Sequence, residues 1–204
     1  MKAYLETVAG NPENQDSGAI INCATASVLV VADGAGGRSG AREAATMAVE
    51  MVRLGAGELH DAISCVRLLQ TLDQSICQAA NAGETTCALA VITETEVFGA
   101  SVGDSGVWLI NANAFRNLTE RQSRKPFIGS GSAVPVGFEC IRGQGESLLL
   151  ATDGLLKYTS SDRILETCRN SNASEVSRRL IELVRYPSGA LPDNVTVIFT
   201  SLDS

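Results

Sequence analysis

Histidine is nearly missing: His60 is the only one in 204 residues. Ser-His-Asp chemistry and histidine-built metal sites therefore have almost nothing to work with. Paired cysteines are missing too. Cys23, Cys65, Cys77, Cys87, Cys140 and Cys168 contain no Cys-x-x-Cys pair, and most sit in apolar runs. They read as small buried hydrophobes in a reducing compartment, not as a disulfide framework or a zinc site. There is no excess of basic charge. A net charge of -7 argues against nucleic acid and against anionic membranes as partners. No apolar run approaches the ~20 residues of a membrane span. Met1 to Glu6 lacks the apolar core of a signal peptide. Together these absences predict a cytoplasmic protein.

What remains is an ordinary globular composition, 45% hydrophobic and 19% charged. No repeat, low-complexity tract or linker interrupts it, so residues 1–204 read as a single domain. The stretch around which the chain is organised is Val28-Leu29-Val30-Val31-Ala32-Asp33-Gly34-Ala35-Gly36-Gly37. A continuous apolar run of this kind predicts a strand buried on both faces. Asp33 then stands where buried structure meets solvent, and the glycines after it let a ligand approach the backbone. A carboxylate there suits a hard cation, although a lone Asp-Gly is also a common turn.

Strands are predicted at 3–8, at 18–23 and 27–32 as a hairpin, at 85–93, 96–102 and 107–111, at 115–118, and at 195–200. The short breaks at 94–95 and 103–106 predict antiparallel neighbours. Val136 to Ile141 and Ser147 to Thr152 read as another hairpin turning at Gly143 and Gly145. Helices are predicted at 39–54, with Gly55 as a C-terminal cap, and at 58–80. Two more run over 160–169 with Ser160 as N-cap, and from Asn172 with Glu175 completing the cap. Thr119 to Val134 reads as a loop. This order predicts an α+β fold, two antiparallel sheets packed face to face with helix pairs outside.

Three strands end in Asp, at Asp33, Asp104 and Asp153. Asp16 and Asp193 precede strands. In antiparallel sheets the end of one strand lies beside the start of the next, so all five carboxylates can gather at one rim. Five carboxylates in one place repel unless cations intervene. Oxygen-only ligands select Mg²⁺, Mn²⁺ or Ca²⁺.

The segments Asn14-Gln15-Asp16-Ser17, Asp33-Gly34-Ala35-Gly36-Gly37, Glu84-Thr85-Thr86, Gly103-Asp104-Ser105, Thr152-Asp153-Gly154 and Asp193-Asn194 resemble, in order, those of the metal-dependent serine/threonine protein phosphatases of type 2C (PPM). The match spans nearly the whole chain and is closest to short bacterial members. The resemblance implies a four-layer αββα sandwich. It implies that Asp33 bridges two Mn²⁺ or Mg²⁺ ions, that Asp153 and Asp193 complete the first ion's protein ligands, and that the Gly34 carbonyl serves the second. Asp16 reaches that shell through water. Asp104 resembles the ligand of a third, weaker metal shared with Asp153, and Thr86 and Asn194 look like supporting groups. The implied reaction is attack by a metal-bridged water on phosphoserine or phosphothreonine, with no catalytic side chain beyond it and no phospho-enzyme. A phosphoprotein is the implied partner, with a bacterial-type Ser/Thr kinase or its targets as the source.

The sequence departs from that family at three places. Asn11 stands where an Arg often clamps the substrate phosphate, Ala35 where many members have a His proposed as general acid, and Gly106 where an Arg follows the Gly-Asp-Ser segment. The loop over 119–134 is also shorter than in many bacterial members. Slower turnover and partner-set specificity are therefore expected. Arg38, Arg121, Arg124 and Lys125 are candidates to supply the missing phosphate charge. The departures keep a second reading open, a phosphatase-like binding module with weak or no turnover. A third is a hydrolase of small phosphate esters.

Overall fold

The structure, a computed structural model, describes residues 2–35 and 40–203. Arg38, Gly36 and Gly37 lie outside the described residues. Ten strands form two five-stranded sheets, and every pairing is antiparallel. The strands are β1 (Ala3–Val8), β2 (Asp16–Asn22), β3 (Ser27–Asp33), β4 (Cys87–Ile92), β5 (Glu96–Val102), β6 (Gly106–Ile110), β7 (Phe115–Asn117), β8 (Val136–Ile141), β9 (Ser147–Ala151) and β10 (Val195–Ser201). The first sheet runs β1-β10-β9-β6-β7 and the second β2-β3-β4-β5-β8. The helices are α1 (Ala41–Gly55), α2 (Ala62–Gln78), α3 (Asp153–Leu156), α4 (Ser161–Asn170) and α5 (Ala173–Glu182).

β3 explains the layering. Val28, Val30 and Ala32 pack toward α1 and α2 with Leu69, Leu72 and Phe98. Leu29 and Val31 face the other way, against Val107, Leu148, Leu150 and Ile198 of the opposite sheet. Period-two alternation thus puts both sets in apolar surroundings, as a strand sealed on both faces requires. On the far side Leu149, Val197 and Phe199 meet Ile164, Val176 and Leu180 of α4 and α5. The result is helix, sheet, sheet, helix, in line with the expected sandwich.

Two local pairings differ from expectation. Val136–Ile141 and Ser147–Ala151 are not a hairpin: β8 pairs with β5, while β9 lies between β10 and β6 in the other sheet. Likewise β6 does not neighbour β5, because Gly103–Ser105 carries the chain between sheets. Helix ends also shift. α2 begins only at Ala62, because the Asp61 carboxylate accepts from Ser64 N at 2.6 Å and Ser64 Oγ accepts from Asp61 N at 3.1 Å, a reciprocal cap. Gly55 does not cap α1 but continues into a short 3₁₀ turn, Ala56–Glu58. Asn172 gives α5 no side-chain cap, and Glu175 pairs with Arg179 at 2.7 Å instead. Ser160 does cap α4. All six cysteines are free. No helix among the described residues is long and apolar enough to cross a membrane.

Candidate metal centre

The acidic residues meet because of strand register. Asp16 opens β2 directly opposite Asp33, the last residue of β3. Thr152, between β9 and α3, donates through Oγ1 to Asp16 Oδ2 at 2.8 Å and accepts from Thr196 N at 3.0 Å. That hydroxyl therefore ties the rim of one sheet to the rim of the other. Asp153 follows it as the first residue of α3. Asp33, Asp104, Asp153 and Asp193 line one cavity of about 310 Å³ with Gly34, Thr86, Asn194, Asn11 and Ala35. Asp16 stands buried behind it.

Backbone bonds hold the carboxylates in place. Asp33 N donates to Thr86 Oγ1 at 3.0 Å, and the Asp33 carbonyl accepts from Thr86 N at 2.8 Å and Thr85 Oγ1 at 2.9 Å. Thr86 Oγ1 is also 2.7 Å from Ser105 Oγ. Asn194 Oδ1 accepts from Gly10 N at 3.1 Å and Asn11 N at 3.4 Å, and Asp193 Oδ1 accepts from Asn194 N at 2.9 Å. Close backbone packing requires glycine at two of these turns. A Cβ on Gly34 would strike the Ala41 carbonyl, and one on Gly154 the Asn194 carbonyl.

The electrostatics are those of crowded negative charge. Burial, then the charges of Asp16 and Asp153, push the Asp33 carboxyl up to about 9. Burial likewise pushes Asp16 up to about 6, against the Thr152 hydrogen bond that lowers it. Asp153 is raised by burial and by Asp104 and Asp193. Asp33 is the more strongly raised of the two, with Asp153 among the groups that raise it. Asp16 Oδ1 is buried with no hydrogen-bond partner, a cost of ~1–3 kcal/mol if nothing compensates.

These observations fit a divalent cation. The donors are all oxygen, which suits Mg²⁺ or Mn²⁺. The orphaned oxygen and the raised carboxyls are both relieved by positive charge. Among the described residues no three His, Cys, Asp or Glu side chains close on one point by themselves. Hard cations commonly complete their shells with water and take one or two carboxylates each, so a looser array suffices.

Among the described residues, three cations reach the cavity: Arg124, Lys125 and Lys157. Arg124 Nε lies 2.6 Å from Asp104 Oδ2. Lys125 Nζ stands 5.5 Å over the Phe127 ring, and Lys157 Nζ 5.3 Å over Tyr158. Arg121 is not among them. It lines a separate groove of about 650 Å³ with Ile63, Val66 and Phe138. Lys157 is a residue that sequence reasoning missed. Its signal was its position four residues after Asp153, one helical turn on. Asp73 was missed as well. Its carboxylate accepts from Gly129 N at 2.8 Å, Gly131 N at 3.0 Å and Ala133 N at 3.0 Å, fixing the loop that carries Arg124 and Lys125.

A family profile described as Protein phosphatase 2C matches residues 7–185. No curated protein matches the chain in sequence. Among solved structures, a bacterial serine phosphatase is 21% identical with a TM-score of 0.87, covering 100% of this chain and 98% of that one. The serine/threonine phosphatase Stp1 from Staphylococcus aureus is 21% identical with a TM-score of 0.83, covering 100% and 95%. The catalytic domain of the phosphatase PstP in complex with two manganese ions is 20% identical with a TM-score of 0.80, covering 97% and 96%. These likenesses establish a shared fold.

Proposed function

The chain belongs to the protein phosphatase 2C family, and from that premise we propose that it hydrolyses phosphoserine and phosphothreonine in a phosphoprotein with the help of two Mn²⁺ or Mg²⁺ ions, residues 1–204 acting as one catalytic domain. The observation that carries this reading is the set Asp33, Asp153 and Asp193 around one cavity, with Asp33 raised to about 9 by burial and its neighbours. A protein with no use for cations gains nothing from such crowding.

Asp33, Asp153, Asp193 and the Gly34 carbonyl would hold the ions, with Asp16 behind them. When bound, such ions supply a water acidic enough to attack at neutral pH and charge that neutralises the phosphoryl oxygens. The protein's own contribution is orientation. Thr86 and Thr152 hold Asp33 and Asp16 at their angles. Asn194 clamps the Gly10–Asn11 turn against the cavity. Asn11 brings no charge, and its side-chain amide donates to Asp193 Oδ1 at 3.4 Å. The phosphate is instead steered by Lys125 and Lys157, with the remaining donors of Arg124. Ala35 has no proton to give, so expulsion of the serine or threonine alkoxide lacks a side-chain acid and turnover is slow. The substrate is a phosphoprotein in the cytoplasm, a Ser/Thr kinase or one of its targets.

The Asn11 and Ala35 substitutions favour one other reading, a binding module that recognises phosphoproteins and barely turns over. Hydrolysis of p-nitrophenyl phosphate and of phosphopeptides, measured with and without Mn²⁺, separates the two. The proposal expects Mn²⁺-dependent release of phosphate from both, reduced at least about a hundredfold by Asp33→Asn and Asp153→Asn, as for loss of a central electrostatic group. Absent or metal-independent turnover selects the binding module. Turnover of small esters alone selects a small-molecule hydrolase.

A further inference from the structure

Asp104, one of the carboxylates lining the cavity, is engaged by a cation of the protein itself. Arg124 Nε meets Asp104 Oδ2 at 2.6 Å, with the Asp104 side chain 27% exposed. An exposed ion pair is by itself weak. This one sits in the field of the acidic cluster: Asp104 is the leading charge acting on Asp153. The segment carrying Arg124 is also held in place. Gln122 Nε2 donates to the Val134 carbonyl at 3.3 Å, and Gln122 Oε1 accepts from Val136 N at 3.2 Å. Thr85 and Ile128 exchange backbone hydrogen bonds at 2.9 and 3.0 Å, and Asp73 fixes the turn beyond. Arg124 is therefore delivered to Asp104 by a pinned loop rather than by a free side chain.

We infer that the Arg124 guanidinium takes the place of a divalent cation at Asp104, so that the cavity holds two ions and excludes a third between Asp104 and Asp153. This rests on the metal-dependent reading above. A third ion entering there meets like charge and a carboxylate already engaged. Removing the guanidinium frees Asp104 and leaves net negative charge that favours a cation.

Mn²⁺ binding by titration calorimetry, with free Mn²⁺ counted by electron paramagnetic resonance, tests this without reference to turnover. The proteins are wild type, Arg124→Gln, and the double variant Arg124→Gln with Asp104→Asn. Arg124 is 65% exposed on its side chain, so its replacement spares the fold. Two ions per wild-type chain, a third at least about tenfold weaker in Arg124→Gln, and its loss in the double variant are expected. Two ions in wild type and in Arg124→Gln alike overturn the inference and leave the two-ion reading standing. Three ions already bound by wild type overturn it too. No Mn²⁺ bound by any of them removes the metal reading itself.

Discussion

Asp33 is the residue on which the site turns, and its environment makes it costly when no cation is present. Burial and the charges of Asp16 and Asp153 raise it to about 9. Asparagine at this position keeps the shape and removes the charge. Asp33→Asn is therefore expected to stabilise the metal-free protein at about pH 9, by ~1 kcal/mol or a few degrees of melting temperature, while abolishing Mn²⁺-dependent turnover. Differential scanning fluorimetry in chelator, beside a phosphatase assay, reads both. A destabilised variant would mean that Asp33 is a structural hydrogen-bonding group and not a strained ligand. Lys157 belongs to the same scale. Lys157→Ala with Lys125→Ala is expected to raise the phosphopeptide KM about tenfold, ~1.4 kcal/mol of lost phosphate attraction, with kcat little changed. An unaltered KM would return both lysines to the solvated surface. The acidic ligand candidates were legible from sequence because each is tied to a strand end by a short motif. Lys157 was not, because a single cation in a short helix carries no pattern.

Among the elements, the loop over 119–134 depends on one helix. Asp73 lies on the same stripe of α2 as Cys65, Leu69, Leu72 and Ile76, and is buried with them. A carboxylate on a buried apolar stripe was the readable sign of a partner, and the three backbone donors from the loop are that partner. Asp73→Ala leaves those donors without an acceptor and is expected to cost ~2–4 kcal/mol. It should also release the loop, seen as faster amide exchange at Gly129 and Ala133. Exchange unchanged from wild type would show the loop to be held by its other contacts. The hairpin expected at 136–152 failed for a related reason. Val136–Ile141 alternates as a half-buried strand does, Ser147–Ala151 is buried almost throughout, and glycines lie between them. Alternation tells which face of a strand is buried, not which sheet it joins. β8 and β9 therefore read identically whether the chain turns back or crosses over. By contrast β3 was legible throughout, because only a strand covered on both faces needs five apolar residues in a row.

For the whole molecule, two antiparallel sheets bring their rims together, and the charge collected there couples fold stability to pH and to cations. Folded Asp33 keeps its proton up to about pH 9, whereas in the unfolded chain it is lost near ~4. Between those values the folded state binds the extra proton, so metal-free stability falls as pH rises. The slope is at most ~1.4 kcal/mol per pH unit for one proton. The melting temperature in chelator is therefore expected to fall from about pH 5 to about pH 9, and Mn²⁺ to restore it most at the alkaline end. A flat profile in chelator would show that the carboxylates do not strain the fold. The central claim is that Asp33, Asp153 and Asp193, far apart in sequence, share divalent cations at one rim. Anomalous scattering from crystals grown with Mn²⁺ tests it most directly. Two peaks against Asp33, one also within bonding distance of Asp153 and Asp193, are predicted. A map with no peak there, or with manganese bound only elsewhere on the molecule, would contradict the account.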